Sequence, residues 1–349
     1  MIDFRYHLVS IVAVFLALAI GIVLGSTELQ GPVYNALNST TGKLQNELDQ
    51  ANSARDAAQQ QASLGEGYAQ AVEPVVLRDL LAGQRLLIVT EPGASASAVA
   101  GISTAAAYAG ATVTGQIALQ NKFFDNSATT QDSLNQVNLD IAQHAGIALD
   151  TGETSQQQAA QVIASEILTK SSGPQASQQA GATQTSSGPN SDAQSMLGAY
   201  ANLGFLTTTG QPDAQATLAV IVTPQNVPSD GTADPLDTVV VYVAQGMAAA
   251  SSATVVAGTS AGSGAGSPMA VVRSNNVSSQ VSTVDDADLV AGQTVVIQAL
   301  AALLDGGKAG SYGFTSNGAG SVAPTPAPTP SVSASPTTTS SPTTKKTKR

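Results

Sequence analysis

Residues Leu8 to Leu24 read LVSIVAVFLALAIGIVL, with no charge and Ser10 as the only polar side chain. A run of this length is the short end of what crosses a hydrocarbon core of roughly 30 Å, and Phe4, Tyr6 and Gly25 extend it at the interfaces. As a helix it satisfies its own backbone hydrogen bonds, which lipid requires. It is apolar all round, whereas the helix of a soluble domain shows one apolar face. The rival reading is a cleaved signal peptide, whose apolar core of about 7–15 residues precedes a small-x-small site. Gly25-Ser26-Thr27 would serve as that site, but the apolar run is longer. The sequence therefore predicts a retained transmembrane helix over 8–25. Arg5 and the terminal amine precede it, and the next basic residue, Lys43, follows only after Glu28. Positive-inside bias places residues 1–7 in the cytoplasm and the body outside, as a single-pass protein of the cell membrane.

After Gly31-Pro32, the residues Leu37, Thr41, Leu44, Leu48, Ala51, Arg55, Ala58 and Ala62 recur at alternating spacings of four and three. This is a heptad seam, with Leu37, Leu44 and Leu48 as its apolar members. It predicts a coiled-coil stalk over 33–64, about 45 Å long at 1.5 Å per residue, that joins two copies as a homodimer. Gly65 and Gly67 are predicted to end it. The alternative is a helix packed on its own body. A helix leaving a membrane has no body beside it at first, which favours the stalk.

Only 11% of residues are charged, against about a quarter in ordinary globular domains. The net charge of −11 argues against a nucleic-acid partner. After Asp305 no acid remains, while Lys308, Lys345, Lys346, Lys348 and Arg349 are basic, so an acidic body carries a basic tip. There is no cysteine, which removes disulfides, thiolate metal sites and cysteine nucleophiles. With no tryptophan and 4% aromatics, the core is built from Val, Leu, Ile and Ala.

The body, 75–313, reads as alternating strands and helices. Arg85 to Thr90 (RLLIVT) and Leu218 to Thr223 (LAVIVT) are short apolar runs of buried-strand type, each meeting a proline. Thr112 to Leu119 and Thr254 to Ala257 are further strand candidates. Helical spacing marks Ala94 to Ala109, Ser133 to His144, Ala159 to Leu168 and Asp288 to Leu304. Leu236 to Ala250 fits either class by periodicity, although Asp234-Pro235 favours a helix. The fold class is α/β, a layered domain with a largely parallel sheet. Residues 171–192 hold no large apolar side chain and read as a disordered insertion, and 314–349 as a disordered Pro/Ser/Thr-rich tail with a basic end.

Gly258-Thr259-Ser260-Ala261-Gly262 matches the G-x-S-x-G of a nucleophile elbow. The elbow needs a histidine downstream, and the last histidine here is His144. A flexible or backbone-binding loop is the better reading, and no catalytic residue or enzyme activity is assigned. Asp285, Asp286 and Asp288 form an acidic cluster between a strand and a helix. Carboxylates there commonly accept orphan N–H groups at a helix start. The same cluster is the leading candidate for an interaction surface. Gly93, at the end of the first strand, is a point where a ligand could approach the sheet.

Two stretches resemble one family. MIDFRYHLVSIVAVFLALAIGIVLGSTELQ is similar to the opening of actinobacterial MctB-type proteins, usually called copper transporters. VSTVDDADLVAGQ (Val281 to Gln293), followed by Gly310-Ser311-Tyr312-Gly313, resembles that family's C-terminal signature. The resemblance implies an envelope protein of copper transport or homeostasis. Related proteins called SteB imply an alternative, a non-catalytic scaffold or regulator of wall hydrolases in cell separation, beside a membrane partner of SteA type. The residues themselves offer copper little. Cu(I) favours thiolate and thioether ligands, and imidazole also suits copper. The methionines Met1, Met196, Met247 and Met269 do not cluster in sequence, and His7 and His144 stand alone. No cofactor is therefore expected from ligand content, and copper enters through the resemblance only. One apolar helix forms no channel alone, and no series of alternating strands with aromatic girdles points to a barrel.

Overall fold

The computed structural model describes residues 4–170, 191–225, 237–314 and 320–324, and for 26–34 the backbone alone. Most of the insertion read at 171–192, nearly all of the 314–349 tail, and Asp234-Pro235 lie outside the described residues. The chain divides into two units, 1–67 and 68–349.

The first unit is helix. α1 runs without interruption from Phe4 to Val76. Its segment Phe4–Gly25 has a mean hydropathy of 2.9 and no buried side chain, long and apolar enough to cross a membrane. Gly31-Pro32 does not break α1, and Gly65 and Gly67 do not end it. An interior proline costs about 3 kcal/mol and a glycine about 1 kcal/mol. The Ala- and Gln-rich turns of 43–63 outweigh such local penalties. Along this unit Leu37, Leu44 and Leu48 are all exposed.

The second unit is built on one seven-stranded sheet in the order β3-β2-β1-β4-β5-β6-β7. The strands are β1 (Arg85–Thr90), β2 (Thr112–Leu119), β3 (Leu206–Gly210), β4 (Leu218–Val222), β5 (Ala253–Ala257), β6 (Ser282–Val284) and β7 (Ser311–Tyr312). All neighbours are parallel except β2 and β3. β4 and β5 are buried at every residue, as continuous apolar runs in parallel sheets should be.

Helices cover both faces. One face packs Leu86, Ile88, Val220 and Val255 against α2 (Ala96–Tyr108) and α8 (Val290–Leu304). The other packs Leu87, Val89, Ile221 and Val256 against α3 (Ala128–Ala145), α4 (Ser155–Ile167), α5 (Ser191–Asn202), α6 (Thr238–Ala250) and α7 (Pro268–Ser274). The ambiguous segment before Ala250 is thus the helix α6, with Val239, Val240, Val243 and Met247 buried. Ser191 and Asp192, assigned to the insertion from sequence, open α5.

The faces set the chirality of the crossovers. β1–α2–β2 steps one way along the sheet with its helix on the first face. β4–α6–β5 and β5–α7–β6 step the opposite way with helices on the second face, so these three crossovers share one hand. β6–α8–β7 continues in the direction of β4 to β6 but returns α8 to the first face, which gives it the other hand. Parallel crossovers are right-handed in about 98% of cases. The odd crossover and its two-residue strand therefore need specific interactions to hold β7.

α4 and α6 approach closely at Gly246, where a Cβ would lie 2.7 Å from the Ala160 carbonyl oxygen. Gly246→Val should lower stability by about 1–3 kcal/mol through overpacking. Gly65→Ala, in open space on α1, should leave the domain unaffected. Urea unfolding of the full chain followed by circular dichroism compares the two.

Candidate functional site

The acidic cluster and the glycine-rich turn meet at the carboxyl ends of β5, β6 and β7. Gly258 donates its N–H to the Val284 carbonyl at 2.9 Å, and Ala287 donates to the Gly258 carbonyl at 2.9 Å. Asp285 donates its N–H to the Tyr312 carbonyl at 3.1 Å, carrying the pairing of β6 and β7 one residue further. Its carboxylate turns inward to Arg273 of α7, with Nη2 and Oδ1 3.4 Å apart. Arg273 also donates from Nε to Thr283 Oγ1 at 2.9 Å and from Nη2 to the Tyr312 carbonyl at 3.5 Å. One guanidinium thus ties α7, β6 and β7 together, a use for which its rigid fork of donors is suited.

Asp286 has φ +64, in the left-handed region. An aspartate tolerates this region better than most residues. The backbone turn sends its carboxylate across to the neighbouring strand ends. There Oδ2 accepts the Phe314 N–H at 2.7 Å, and Oδ1 accepts the Ser260 hydroxyl. Asp288 Oδ1 accepts the Ser260 N–H at 3.2 Å. The three aspartates therefore clasp the β5 turn, the β6 turn and the segment after β7. A Cβ on Gly313 would overlap the Asp285 carboxylate, and one on Gly292 would overlap the Asp286 carbonyl. This explains why glycines stand in both halves of the C-terminal signature.

This geometry changes the reading of the cluster. Asp285 and Asp286 are 0% and 1% exposed, so they form no contact surface, because the left-handed turn folds them inward. Asp288 alone of the three is exposed. Nor do they cap α8, which starts after Leu289 without a side-chain cap. Ser260 donates its hydroxyl to Asp286 as part of the clasp. His144 lies on α3, with Nδ1 2.7 Å from the Asp140 carbonyl oxygen.

A second feature lies where strand order reverses between β1 and β4. Glu91 follows β1 and donates its N–H to the Val222 carbonyl at 3.0 Å. Gln225 donates to the Gly93 carbonyl at 2.9 Å, and Gly93 takes φ +83 to complete the turn. The Glu91 side chain is 4% exposed, and its Oε1 has no hydrogen-bond partner among the described residues. Burial, aided by the charge of Asp237, pushes its carboxyl up to about 8. It lines a cavity of about 430 Å³ together with Thr90, Gly93, Val99, Gln116 and Gln120. None of the sequence motifs singles out Glu91. The available signal was an acid placed directly after a wholly apolar strand.

Among the described residues the methionines and histidines lie apart. Met196, Met247 and Met269 are buried within the apolar core of the second face. His7 and His144 are exposed on separate helices. Among the described residues no group of three or more His, Cys, Asp and Glu side chains is placed to hold a metal ion. This donor set does not fit a preformed copper site.

These features define a class, an α/β domain on a long N-terminal helix whose first segment is able to cross a membrane. The chain belongs to the MctB family, whose sequence model, described as copper transport outer membrane protein MctB, matches residues 1–324. It is 30% identical over 326 residues to the copper transporter MctB of Mycobacterium tuberculosis, covering 92% of this chain and 99% of the relative. The same values hold for the copper transporter MctB of Mycobacterium bovis. The copper transporter MctB of Mycobacterium leprae is 29% identical over 330 residues.

Two outcomes are expected. Arg273→Met leaves the buried Asp285 without its cation and should cost about 3–5 kcal/mol. Adding Asp285→Asn should recover part of this in a double-mutant cycle by urea unfolding. Glu91 ionises near its ordinary 4.5 when unfolded and near 8 when folded. Between these values the folded state holds more protons, so the Glu91 contribution falls as pH rises and is fully lost above the folded value. Glu91→Gln should therefore gain stability relative to the parent between about pH 5 and pH 8, on the order of a few kcal/mol. Melting curves across that range would show it.

Proposed function

We propose that this protein serves copper transport or homeostasis at the membrane, as a binding protein and not as an enzyme. The carrying observation is the near-complete coverage of relatives named copper transporter, with both the apolar helix and the clasp segments inside the match. Phe4–Gly25 acts as an uncleaved single-pass anchor, with the N-terminus cytoplasmic and the α/β domain outside. The positive-inside distribution of Arg5, Glu28 and Lys43 supports that orientation. Because the described donors do not gather, copper is a cargo handled through a partner protein, not a resident cofactor of the domain.

The stalk of 33–64 joins two copies. Leu37, Leu44 and Leu48 are 64%, 60% and 55% exposed on α1, a seam that a second helix would cover. Exposed leucines at heptad spacing gain most by pairing with their own kind.

Copper handling is tested in the host. A strain lacking this chain should become copper-sensitive. The full chain should restore tolerance, and a form lacking residues 4–25 should not. Unchanged copper tolerance and content in the deletion strain would overturn the reading. The full chain in nanodiscs, titrated with Cu(I) under reducing conditions against a chelator, should show no stoichiometric site tighter than micromolar. The stalk is tested by Leu44→Asp with Leu48→Asp, which should convert dimer to monomer in light scattering while the domain's melting point is unchanged.

A further inference from the structure

The cavity beside Glu91 sits at the place where an open parallel sheet most readily binds a ligand. α2 leaves β1 toward one face, and the chain after β4 returns through α6 on the other. In open parallel sheets such a divergence of helices leaves a crevice at the carboxyl edge. At about 430 Å³ the cavity falls among the volumes typical of small-molecule sites.

The chemistry of its lining is one-sided. Glu91 is the only charged residue among the described residues that line it. Its wall is formed by small or apolar side chains, including Ala94, Ala96, Val99, Ala100 and Ala118. Gln116, Gln120 and Asn121 are the neutral polar residues of the lining; Gln116 Nε2 already donates to Thr90 Oγ1 at 3.3 Å and Gln120 Nε2 to the Ala118 carbonyl at 3.1 Å. The N-terminus of α2 borders the space, but Ser95 accepts the Ala98 N–H there and so occupies one of its donors. Among the described lining residues there is no basic group to receive an anion, and the charge of Asp237 also acts on Glu91.

Elsewhere the same fold pairs its buried acid. Asp285 meets Arg273, whereas Glu91 Oε1 is buried with no donor among the described residues. Such an acid weakens the fold and does nothing for packing that an apolar residue would not do better. A metal ion needs several ligands, and one carboxyl with amides offers too few. A ligand that brings its own N–H donors and positive charge would satisfy Glu91 and leave its aliphatic part against the alanine wall.

We propose that this cavity binds a small organic cation, an ammonium group on a short aliphatic body, with the Glu91 carboxyl as its anchor. The inference stands independently of the copper reading, because it uses none of the copper donors or the stalk.

The experiment is calorimetric titration of the full chain in nanodiscs with n-butylammonium, butyramide and butyrate. n-Butylammonium should bind saturably at one site per chain and more tightly than the other two. Glu91→Gln should weaken it by about tenfold or more, the loss of one charge-assisted contact. Ala100→Leu, which fills the wall without touching the acid, should weaken it as well. A single cooperative melting transition, no lower than the parent's for Glu91→Gln and close to it for Ala100→Leu, would show that each variant is folded. Binding of butyramide or butyrate as tight as n-butylammonium would overturn the proposal, as would equal n-butylammonium binding by the parent and Glu91→Gln. Absence of binding by all three probes would also overturn it.

Discussion

The pairing of Arg273 with Asp285 is the interaction on which the C-terminal half of the domain depends. β7 is two residues long and is reached by the one crossover of opposite hand, so its own ladder gives it little hold. A buried charge pair adds little over an apolar pair of the same size, but it is demanding about geometry. Here that demand places α7, β6 and β7 in one arrangement. Asp286 then adds the Phe314 backbone and the Ser260 turn to the same knot. A family signature that reads as an acidic surface in one dimension is a structural fastening in three.

Much of the architecture was legible because the signals were periodic and strong. The apolar run near the N-terminus, the buried strands RLLIVT and LAVIVT, and helices α2, α3, α4 and α8 fall close to where hydrophobic spacing puts them, whereas α5 and α7 were not anticipated. Strands β3 and β7 escaped because they are short or exposed, and β6 was read only as an unbounded strand before the acidic cluster. β3 is Leu206 followed by three threonines and Gly210, polar along an edge. Glycine was over-read as punctuation at Gly65 and Gly67, where a long run of good helix formers carried α1 onward to Val76.

The sites were less legible for a different reason. Whether an acid is paired depends on residues distant in sequence, as Asp285 depends on Tyr312 and Arg273. The inward turn of Asp286 rests on a single left-handed backbone angle, which composition does not reveal. Glu91 differs from Asp285 only in what surrounds it. Both follow buried strands, yet one meets a guanidinium and the other belongs to the lining of a cavity. Methionine likewise misleads when counted: the described ones are core filler, a role its flexible thioether suits.

The central position of β1 has a consequence for the order in which the domain forms. Arg85 N–H donates to Thr217 Oγ1 across 132 residues, and the strands on either side of that bond belong to different halves of the chain. β2 can pair with β1 as soon as one helix has been made. The opposite edge of β1 stays open through the whole excursion of α3, α4 and α5 until β4 arrives. During synthesis that edge is a run of Leu, Ile and Val with unpaired backbone groups, the kind of template that captures a strand from another molecule. The interval between emergence of Thr90 and emergence of Val222 is therefore the window of greatest aggregation risk. The rate at which the intervening helices collapse onto Leu87 and Val89 sets how well that window is guarded.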